Sequence, residues 1–381
     1  MSWFFSRKKL QSVAIIDIRS SSISAGYVVV SPAVAPHIVH SVYMPLDTHA
    51  TEPLDEAMVR TLTAILHMLS SQGSAKLLAL TGSGSIDKVL VSVTSPWQNS
   101  RIQNIEKKSE KPFTFTKNML REMTQRVFPE TASRKRISEL VITTFLNGYE
   151  TTDPFGRSVE TAQVLYLATD IDQHIYESLK TIVKETFHQS HIDIVAFLPA
   201  LYEVMQSVYP NQRDYLVLDI GSTATDILLV KHGLIVDLTN SEHGVKDILE
   251  AVHASGLSGV SRALTQDSEV ITPTHDTGFQ SSTEVAKEAW VHNLAQDVRA
   301  VAQHEPLPRL LFLLSEENVS AFLKRLIDSP ELRKLWLSDD ALTIFSIVAG
   351  ELASKITLEA TSAPAVPLYF LALSANRQFA K

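Results

Sequence analysis

The chain has 381 residues, a formal net charge of -8 and no cysteine. This length is enough for two well-filled domains, because a single domain usually has about 100 to 200 residues. The lack of cysteine excludes disulfides, thiolate metal sites and cysteine nucleophiles, and it fits a reducing cytoplasm. Glycine is scarce, with 13 residues, so a site built from glycine-rich phosphate loops has few residues to draw on.

The acidic balance predicts no nucleic-acid partner, since nucleic-acid-binding domains are usually basic. One stretch, Arg101 to Arg136, is basic all the same, with ten Lys or Arg against four Asp or Glu. It forms either a basic face or an ordinary solvated surface, and both interpretations stay open. No apolar run reaches the roughly 18 residues that are typical of a membrane-spanning helix.

The N-terminal segment combines three aromatic residues with three consecutive cations. This mixture suits the headgroup layer of an anionic membrane. A frayed tail is the alternative, because so short a segment binds a membrane only weakly by itself. The candidate membrane contacts are Trp3, Phe4, Phe5, Arg7, Lys8 and Lys9.

After this segment the sequence predicts a β-hairpin. Two apolar strands in residues 12–30 flank a turn rich in hydroxyl groups. Residues 55–71 have apolar side chains at helical spacing, whereas residues 76–80 and 89–93 are strand-like. The alternation of strands and helix predicts an α/β domain.

A different unit is predicted for residues 88–172. It contains a helix at 116–128 that begins after Thr116, and strands at 139–146 and 159–168. The segment between these two strands is dense in turn-forming residues. We interpret the unit as a small α+β module that is inserted into the first domain.

The strand, turn and strand of residues 12–30 have a counterpart that begins at Tyr215, after a predicted helix, strand and helix. An apolar strand ends in Asp219, a turn of small and hydroxyl residues follows, and a second apolar strand comes next. The same order surrounds Asp17, 202 residues earlier. Such a repeat predicts a duplicated domain. Further along, the sequence predicts a strand at 309–314 and helices at 318–335 and 340–358.

A strand that ends in Asp and turns through Gly, Ser and Thr is suited to bind phosphate. Its backbone N–H groups and hydroxyls donate to phosphate oxygens, and its carboxylate can hold a water molecule of a magnesium ion. One such turn is more often an ordinary serine-rich turn. Two of them in a duplicated chain predict a nucleotide that is held from both sides.

With these two loops, residues 17–22 and 219–226, the sequence resembles the actin-like ATPase superfamily, and within it the FtsA and PilM type of protein. The segment 242–248 and the module 88–172 resemble further parts of that type. The resemblance implies an α/β, actin-like fold, which is a duplicated RNase H-like fold of two domains with an inserted α+β, SHS2-like subdomain.

The resemblance also implies domain limits. Residues 1–87 are the N-terminal part of the first actin-like domain, 88–172 the inserted subdomain and 173–210 the return to the first domain. Residues 211–381 are the second domain, in which 243–304 form the smaller subdomain.

ATP and Mg²⁺ are the cofactors that the resemblance implies, with Asp17 and Asp219 holding Mg²⁺ through water. No catalytic residue is assigned. The implied nucleotide-binding residues lie in the two loops and in the segment after the second: Asp17, Arg19, Ser20, Ser21, Ser22, Asp219, Gly221, Ser222, Thr223, Thr225, Asp226 and Gly244.

The sequence departs from this family at several positions. Relatives usually have glycine in place of Arg19, and often at Ser222 and Thr223. Where the family places a glycine pair near adenosine, this chain has Glu316 and Glu317, whose charges would oppose a polyphosphate. These departures predict that ATP binding is weak or lost and that the chain is at most a weak ATPase.

The implied function is that of an FtsA-type scaffold in cell division at the cytoplasmic face of the inner membrane. A PilM-like scaffold or ATPase in type IV pilus assembly is the alternative, and a sugar-kinase-like phosphotransferase is the alternative from another class. The expected partners are further copies of the chain in a dimer or filament, division or pilus proteins, and an anionic membrane surface.

Overall fold

The computed structural model describes residues 10–32, 34–49, 51–129, 131–246, 248–250, 277–302, 306–336, 342–360 and 362–380. In these ranges the strands are β1 (Gln11–Ile18), β2 (Ser22–Val30), β3 (His37–Pro45), β4 (Lys88–Val93), β5 (Gln98–Thr114), β6 (Arg134–Leu146), β7 (Tyr149–Thr151), β8 (Ser158–Asp172), β9 (Ile192–Ala196), β10 (Tyr215–Ile220), β11 (Thr225–Lys231), β12 (Leu234–Ser241), β13 (Leu310–Leu314), β14 (Thr343–Ser346) and β15 (Thr357–Leu358). The helices are α1 (Leu54–Thr81), α2 (Lys117–Val127), α3 (Gln173–Phe187), α4 (Phe197–Val208), α5 (Thr277–Val301), α6 (Glu317–Ile327), α7 (Pro330–Arg333), α8 (Ala349–Leu352) and α9 (Val366–Ala380).

The first sheet has six strands in the order β15-β3-β2-β1-β4-β9. Its central strand, β1, pairs antiparallel with β2 and parallel with β4. Ala14 and Ile16 lie in one core cluster with side chains of α1 and α3, whereas Val13 and Ile15 lie in another with side chains of α4 and α9. Both faces of β1 are therefore covered, which explains its nearly continuous apolar sequence.

The second sheet repeats this arrangement with five strands in the order β12-β11-β10-β13-β14. Its central strand, β10, pairs antiparallel with β11 and parallel with β13. Val217 and Leu228 share a buried cluster with Val13 and Ile15, so the facing layers of the two sheets form one core. The predicted duplication is confirmed.

The third sheet has the order β5-β8-β6-β7 and is antiparallel throughout. It lies between β4 and α3 in the chain, as the predicted insertion requires. Helix α2 begins where predicted, because the Thr116 side chain accepts a hydrogen bond from the backbone N–H of Met119 at 3.2 Å. Phe115 and Tyr166 are buried between this helix and the sheet.

Two secondary-structure predictions were wrong. Residues 76–80 are not a strand but the end of α1, where buried Leu77 extends the apolar stripe of the helix. Gly73 allows close packing inside this helix, since a Cβ there would lie 2.8 Å from the ring of Tyr27. Within the predicted helix 340–358, residues Thr343–Ser346 form β14, which pairs parallel with β13.

The last elements differ from the expected domain limits. Strand β15 pairs with β3, and α9 packs against α4, β1 and β2, so both elements join the first sheet and not the second. Leu368 and Phe370 of α9 are fully or almost fully buried in the shared core. Long-range burial of this kind is not visible in a local pattern.

None of the helices within the described ranges is long and apolar enough to cross a bilayer. The candidate membrane contacts in residues 1–9 lie outside these ranges, as do residues 247, 251–276, 303 and 304 of the expected smaller subdomain.

Candidate functional site

The two predicted loops follow the central strands of the two sheets. Asp17 lies near the carboxyl end of β1, and Asp219 occupies the matching position in β10. The first loop is a tight turn in which the backbone N–H of Arg19 donates to the carbonyl of Ser22 at 2.9 Å. In the second loop, the N–H of Gly221 donates to the carbonyl of Ala224 at 2.9 Å.

Arg19 joins the two aspartates. Its Nε donates to Asp17 Oδ2 at 2.7 Å, and its Nη1 donates to Asp219 Oδ1 at 2.5 Å. The side chain of Arg19 is 11% exposed, and those of Asp17 and Asp219 are 1% and 2% exposed. The structure thus brings together the loop aspartates, but a side chain of the protein already lies between them.

The charges of this cluster influence one another strongly. Burial raises the pKa of Asp219 to about 6, while the guanidinium of Arg19 opposes that shift. Burial also raises the pKa of Asp226. Burial alone would lower the pKa of Arg19, but Asp219 and Asp17 outweigh it and raise that pKa. Arg19 therefore stays charged and supplies the positive charge that the buried carboxylates require.

Three buried polar atoms of this cluster have no hydrogen-bond partner among the described residues. They are Arg19 Nη2, Asp219 Oδ2 and Thr223 Oγ1. Buried polar groups are usually paired with protein or ordered water, so these atoms are suited to bind a water molecule or a small polar group.

The loops also contact each other directly. The backbone N–H of Thr223 donates to Ser20 Oγ at 3.3 Å. A Cβ at Gly221 would lie 2.6 Å from Ser20 Oγ, and a Cβ at Gly244 would lie 2.0 Å from the carbonyl oxygen of Ser222. Glycine is required at both positions because neighbouring atoms fill the space that a side chain would need.

Both carboxylate oxygens of Asp226 accept hydrogen bonds from groups of the protein outside the two loops. Its Oδ2 accepts from the backbone N–H of Ser95 at 3.2 Å and from Gln98 Nε2 at 3.4 Å, and its Oδ1 accepts from Asn240 Nδ2 at 2.6 Å. Thr225, the residue before it, donates its hydroxyl to the carbonyl of His243 at 2.6 Å. Both predicted nucleotide-binding residues are thus already used in structural contacts.

The remaining predicted residues lie at the edges of the site. Ser21 accepts a hydrogen bond from the backbone N–H of Leu46 through its carbonyl, and Ser22 begins β2. We call the first sheet with the helices packed on it the first half of the molecule, and the second sheet with its helices the second half. Glu316 of the second half accepts, through Oε1, a hydrogen bond from the hydroxyl of Tyr43 in the first half at 3.2 Å. This contact is a further link between the halves.

Sequence reasoning missed Ser92 and Phe197. Ser92 donates its hydroxyl to Asp17 Oδ1, and Phe197 places its ring 4.5 Å from the guanidinium carbon of Arg19. Ser92 had a signal, because it is a polar residue within an apolar strand. Phe197 follows β9, a strand parallel to β4, and the carboxyl ends of parallel strands meet at one edge of a sheet.

No protein-family profile and no curated protein sequence matches this chain. Among solved structures, the chain is similar to a PilM-PilN type IV pilus biogenesis complex, with 14% identity over 98% of this chain and 99% of that chain and a TM-score of 0.56. A protein of Bacteroides thetaiotaomicron with an actin-like ATPase fold and unknown function matches at 10% identity over 98% of both chains, with a TM-score of 0.44. The ethanolamine utilization protein EutJ from Carboxydothermus hydrogenoformans matches at 11% identity over 96% and 88% of the two chains, with a TM-score of 0.43.

The likeness to the PilM structure and the duplicated sheets agree on the class of fold. The chain has an actin-like, two-domain α/β fold, as the sequence predicted. At 14% identity the likeness extends to the fold alone.

A magnesium-bound nucleotide does not fit the site as it is arranged. Both oxygens of Asp17 are paired, with Arg19 and Ser92, and one oxygen of Asp219 is paired with Arg19. The water molecules of a magnesium ion would have to compete with Arg19 and Ser92 for these acceptors, since only Asp219 Oδ2 has no partner among the described residues. The cofactor assignment to ATP and Mg²⁺ therefore stays a prediction from the resemblance, and the geometry opposes it.

Proposed function

We propose that the chain is an actin-like scaffold of the PilM type, which supports pilus assembly at the cytoplasmic face of a membrane without ATP turnover. The observation that carries this proposal is the likeness to the PilM-PilN structure over 98% and 99% of the two chains. So complete an overlap takes in the inserted sheet together with the duplicated halves. Because PilM in that structure forms a pilus biogenesis complex with PilN, we favour pilus assembly as the process that this chain serves.

The closed cleft favours a scaffold over a phosphotransferase. A phosphotransferase of this superfamily must admit a nucleotide and a second substrate between its halves. Here the Ser20 side chain and the Thr223 backbone are hydrogen bonded across the cleft. The Arg19 side chain lies between Asp17 and Asp219 at the same place.

The inserted sheet is tied to both halves, which supports a role that depends on shape. The backbone N–H of Ser100 in β5 donates to Asn240 Oδ1 of the second half at 3.1 Å. Ser138 Oγ in β6 accepts from the backbone N–H of Ala196 of the first half at 2.9 Å. An insert that is held from both sides presents its surface to a partner in a constant orientation.

Direct binding to the PilN protein of the same organism tests the proposal. We expect a stable complex in size-exclusion chromatography and the same dissociation constant with and without ATP and Mg²⁺. Deletion of the gene should remove surface pili and leave cell length unchanged. Elongated, undivided cells that still carry pili would contradict the proposal and favour the FtsA-type role in division.

A further inference from the structure

We propose that Arg19 is an internal ligand, which takes the place of a metal-bound nucleotide between the two halves and holds the cleft closed. This inference rests on the proposed scaffold function and deepens it. A scaffold that keeps its halves in one arrangement without nucleotide needs some other group to join them.

The planar guanidinium is well suited to this crosslink. Two of its nitrogens reach carboxylates in different halves, Asp17 at 2.7 Å and Asp219 at 2.5 Å. The donors of an arginine form a rigid fork, so both bonds are made without further ordering of the group. The ring of Phe197 lies 4.5 Å from the guanidinium carbon, and at 1% exposure it shields the crosslink from water.

Arg19 and a magnesium ion would compete for the same place. Asp219 Oδ2 is the one oxygen of the Asp17 and Asp219 carboxylates that has no partner among the described residues. A divalent cation entering here would meet the positive charge of Arg19 and would have to displace it from both aspartates. The guanidinium thus supplies the same sign of charge at the same acceptors.

The contact between the loops leaves no room for a phosphate group at this point. Ser20 Oγ and the Thr223 nitrogen are 3.3 Å apart and hydrogen bonded, so a phosphate between them would have to break that bond. Gly221 packs so closely that even a Cβ would collide with Ser20. The close approach of the two loops thus excludes a polyphosphate at the place where Arg19 joins the two aspartates.

The opposite role for Arg19 is that of a phosphate ligand, since its Nη2 has no partner. Guanidinium groups bind phosphate well in other proteins. The two roles predict opposite results. An internal ligand excludes nucleotide from the wild-type protein, whereas a phosphate ligand makes wild-type binding depend on Arg19.

Distance measurements between the halves test the crosslink. The 381-residue sequence has no cysteine, so Thr48→Cys and Asn318→Cys, at exposed positions in the two halves, accept spin labels without background. We expect one narrow distance distribution in the labelled protein. Arg19→Ala should widen it roughly two-fold or more, as for a released hinge. Arg333→Ala, which breaks an ion pair with Asp328 within the second half, is the matched control and should leave it unchanged.

Asp219→Ala makes the test independent of any folding defect in the Arg19 variant. It removes the acceptor in the second half and leaves Arg19 paired with Asp17, so no buried charge loses all its partners. We expect the same widening as for Arg19→Ala. An unchanged distance distribution in folded Asp219→Ala would overturn the proposal.

Calorimetry with ATP and Mg²⁺ provides the second arm. We expect no binding to the wild-type protein below about 1 mM, a weak limit for a specific site. Micromolar binding that Arg19→Ala abolishes would overturn the proposal, because Arg19 would then be a phosphate ligand. The proposed scaffold function would fail separately: the wild-type protein would not bind PilN, although the distance measurements showed its cleft to be closed.

Discussion

The guanidinium carbon of Arg19 lies 4.5 Å from the centroid of the Phe197 ring. Phe197 is the first residue of α4 and is 1% exposed, so the contact is shielded from solvent. A desolvated cation-π contact stabilises by about 2 kcal/mol. One half of the molecule thus supports the face of the guanidinium while its edge reaches Asp219 in the other half.

We expect Phe197→Leu to lower the free energy of unfolding by about 2 kcal/mol more than Phe370→Leu, because within the described ranges Phe197 contacts a cation and Phe370 does not. Phe370 is the matched control, since it is 1% exposed in the same cluster and its ring lies 6.2 Å from that of Phe197. Urea unfolding measures both losses. Equal losses in the two variants would show that the cation-π contact contributes nothing.

The close contacts of the second loop predict that Gly244→Ala is strongly destabilising. The added Cβ would lie 2.0 Å from the Ser222 carbonyl oxygen and 2.5 Å from the Thr223 nitrogen. Both obstacles are backbone atoms, so the loop itself must move, at a cost of about 3 kcal/mol or more. Gly350→Ala, which meets no atom within 4 Å, is the control and should be nearly neutral. Thermal unfolding of both variants checks this, and similar melting temperatures would contradict the packing argument.

The environment of buried His40 predicts that the free energy of unfolding decreases in mild acid. His40 is 7% exposed, and its Nδ1 lies 3.1 Å from the ammonium of Lys76. Burial, and then the charge of Lys76, lower the pKa of His40. The unfolded chain, in which the pKa of His is about 6.5, therefore takes up a proton at a higher pH than the folded protein does. The stability that neutral, buried His40 contributes is therefore fully present above about pH 6.5, and it is lost as the pH falls below that value.

Unfolding free energies at pH 7.5 and 5.5 measure this effect in the wild type and in His40→Gln. We expect the fall in stability to be smaller in His40→Gln than in the wild type. His67→Gln is the control, because His67 is an exposed residue of α1, and it should retain the full pH dependence. A wild-type slope in His40→Gln would show that other groups cause the acid sensitivity.

Membrane contact through the N-terminal segment stays a prediction of the sequence. We expect that deletion of residues 1–9 abolishes co-sedimentation with liposomes that contain anionic lipid, because the segment carries both aromatic and cationic groups. Replacing Trp3, Phe4 and Phe5 by Ser, with the cations retained, separates the two contributions. Unchanged pelleting of the deletion variant would refute the prediction.

Patterns formed by neighbouring residues made several parts of this fold predictable. The strands before and after Asp17 and Asp219 have the same apolar pattern, and the structure gives them the same pairing partners. The insert was also predictable, because Thr116 is a good N-cap and its strands flank a segment dense in turn-forming residues. Such signals act over a few residues, so one sequence is enough to detect them.

Other parts depend on contacts between distant segments. The sequence predicts a strand at residues 76–80, because the burial of Leu77 against the first sheet cannot be inferred from the neighbouring residues alone. Thr343–Ser346 gained its strand conformation by pairing with β13. The return of α9 to the first sheet is decided by the shared core, since its apolar side chains would suit either half.

By itself, the sequence determined that the chain is a duplicated α/β protein with an insert, that an aspartate lies near the end of each central strand, and that Arg19 lies in the turn after the first of them. Only the tertiary structure decided what Arg19 does. Its partner Asp219 is 200 residues away in the chain, and their 2.5 Å contact depends on how closely the two halves approach. No local pattern encodes that distance, because it results from the packing of both sheets around one core.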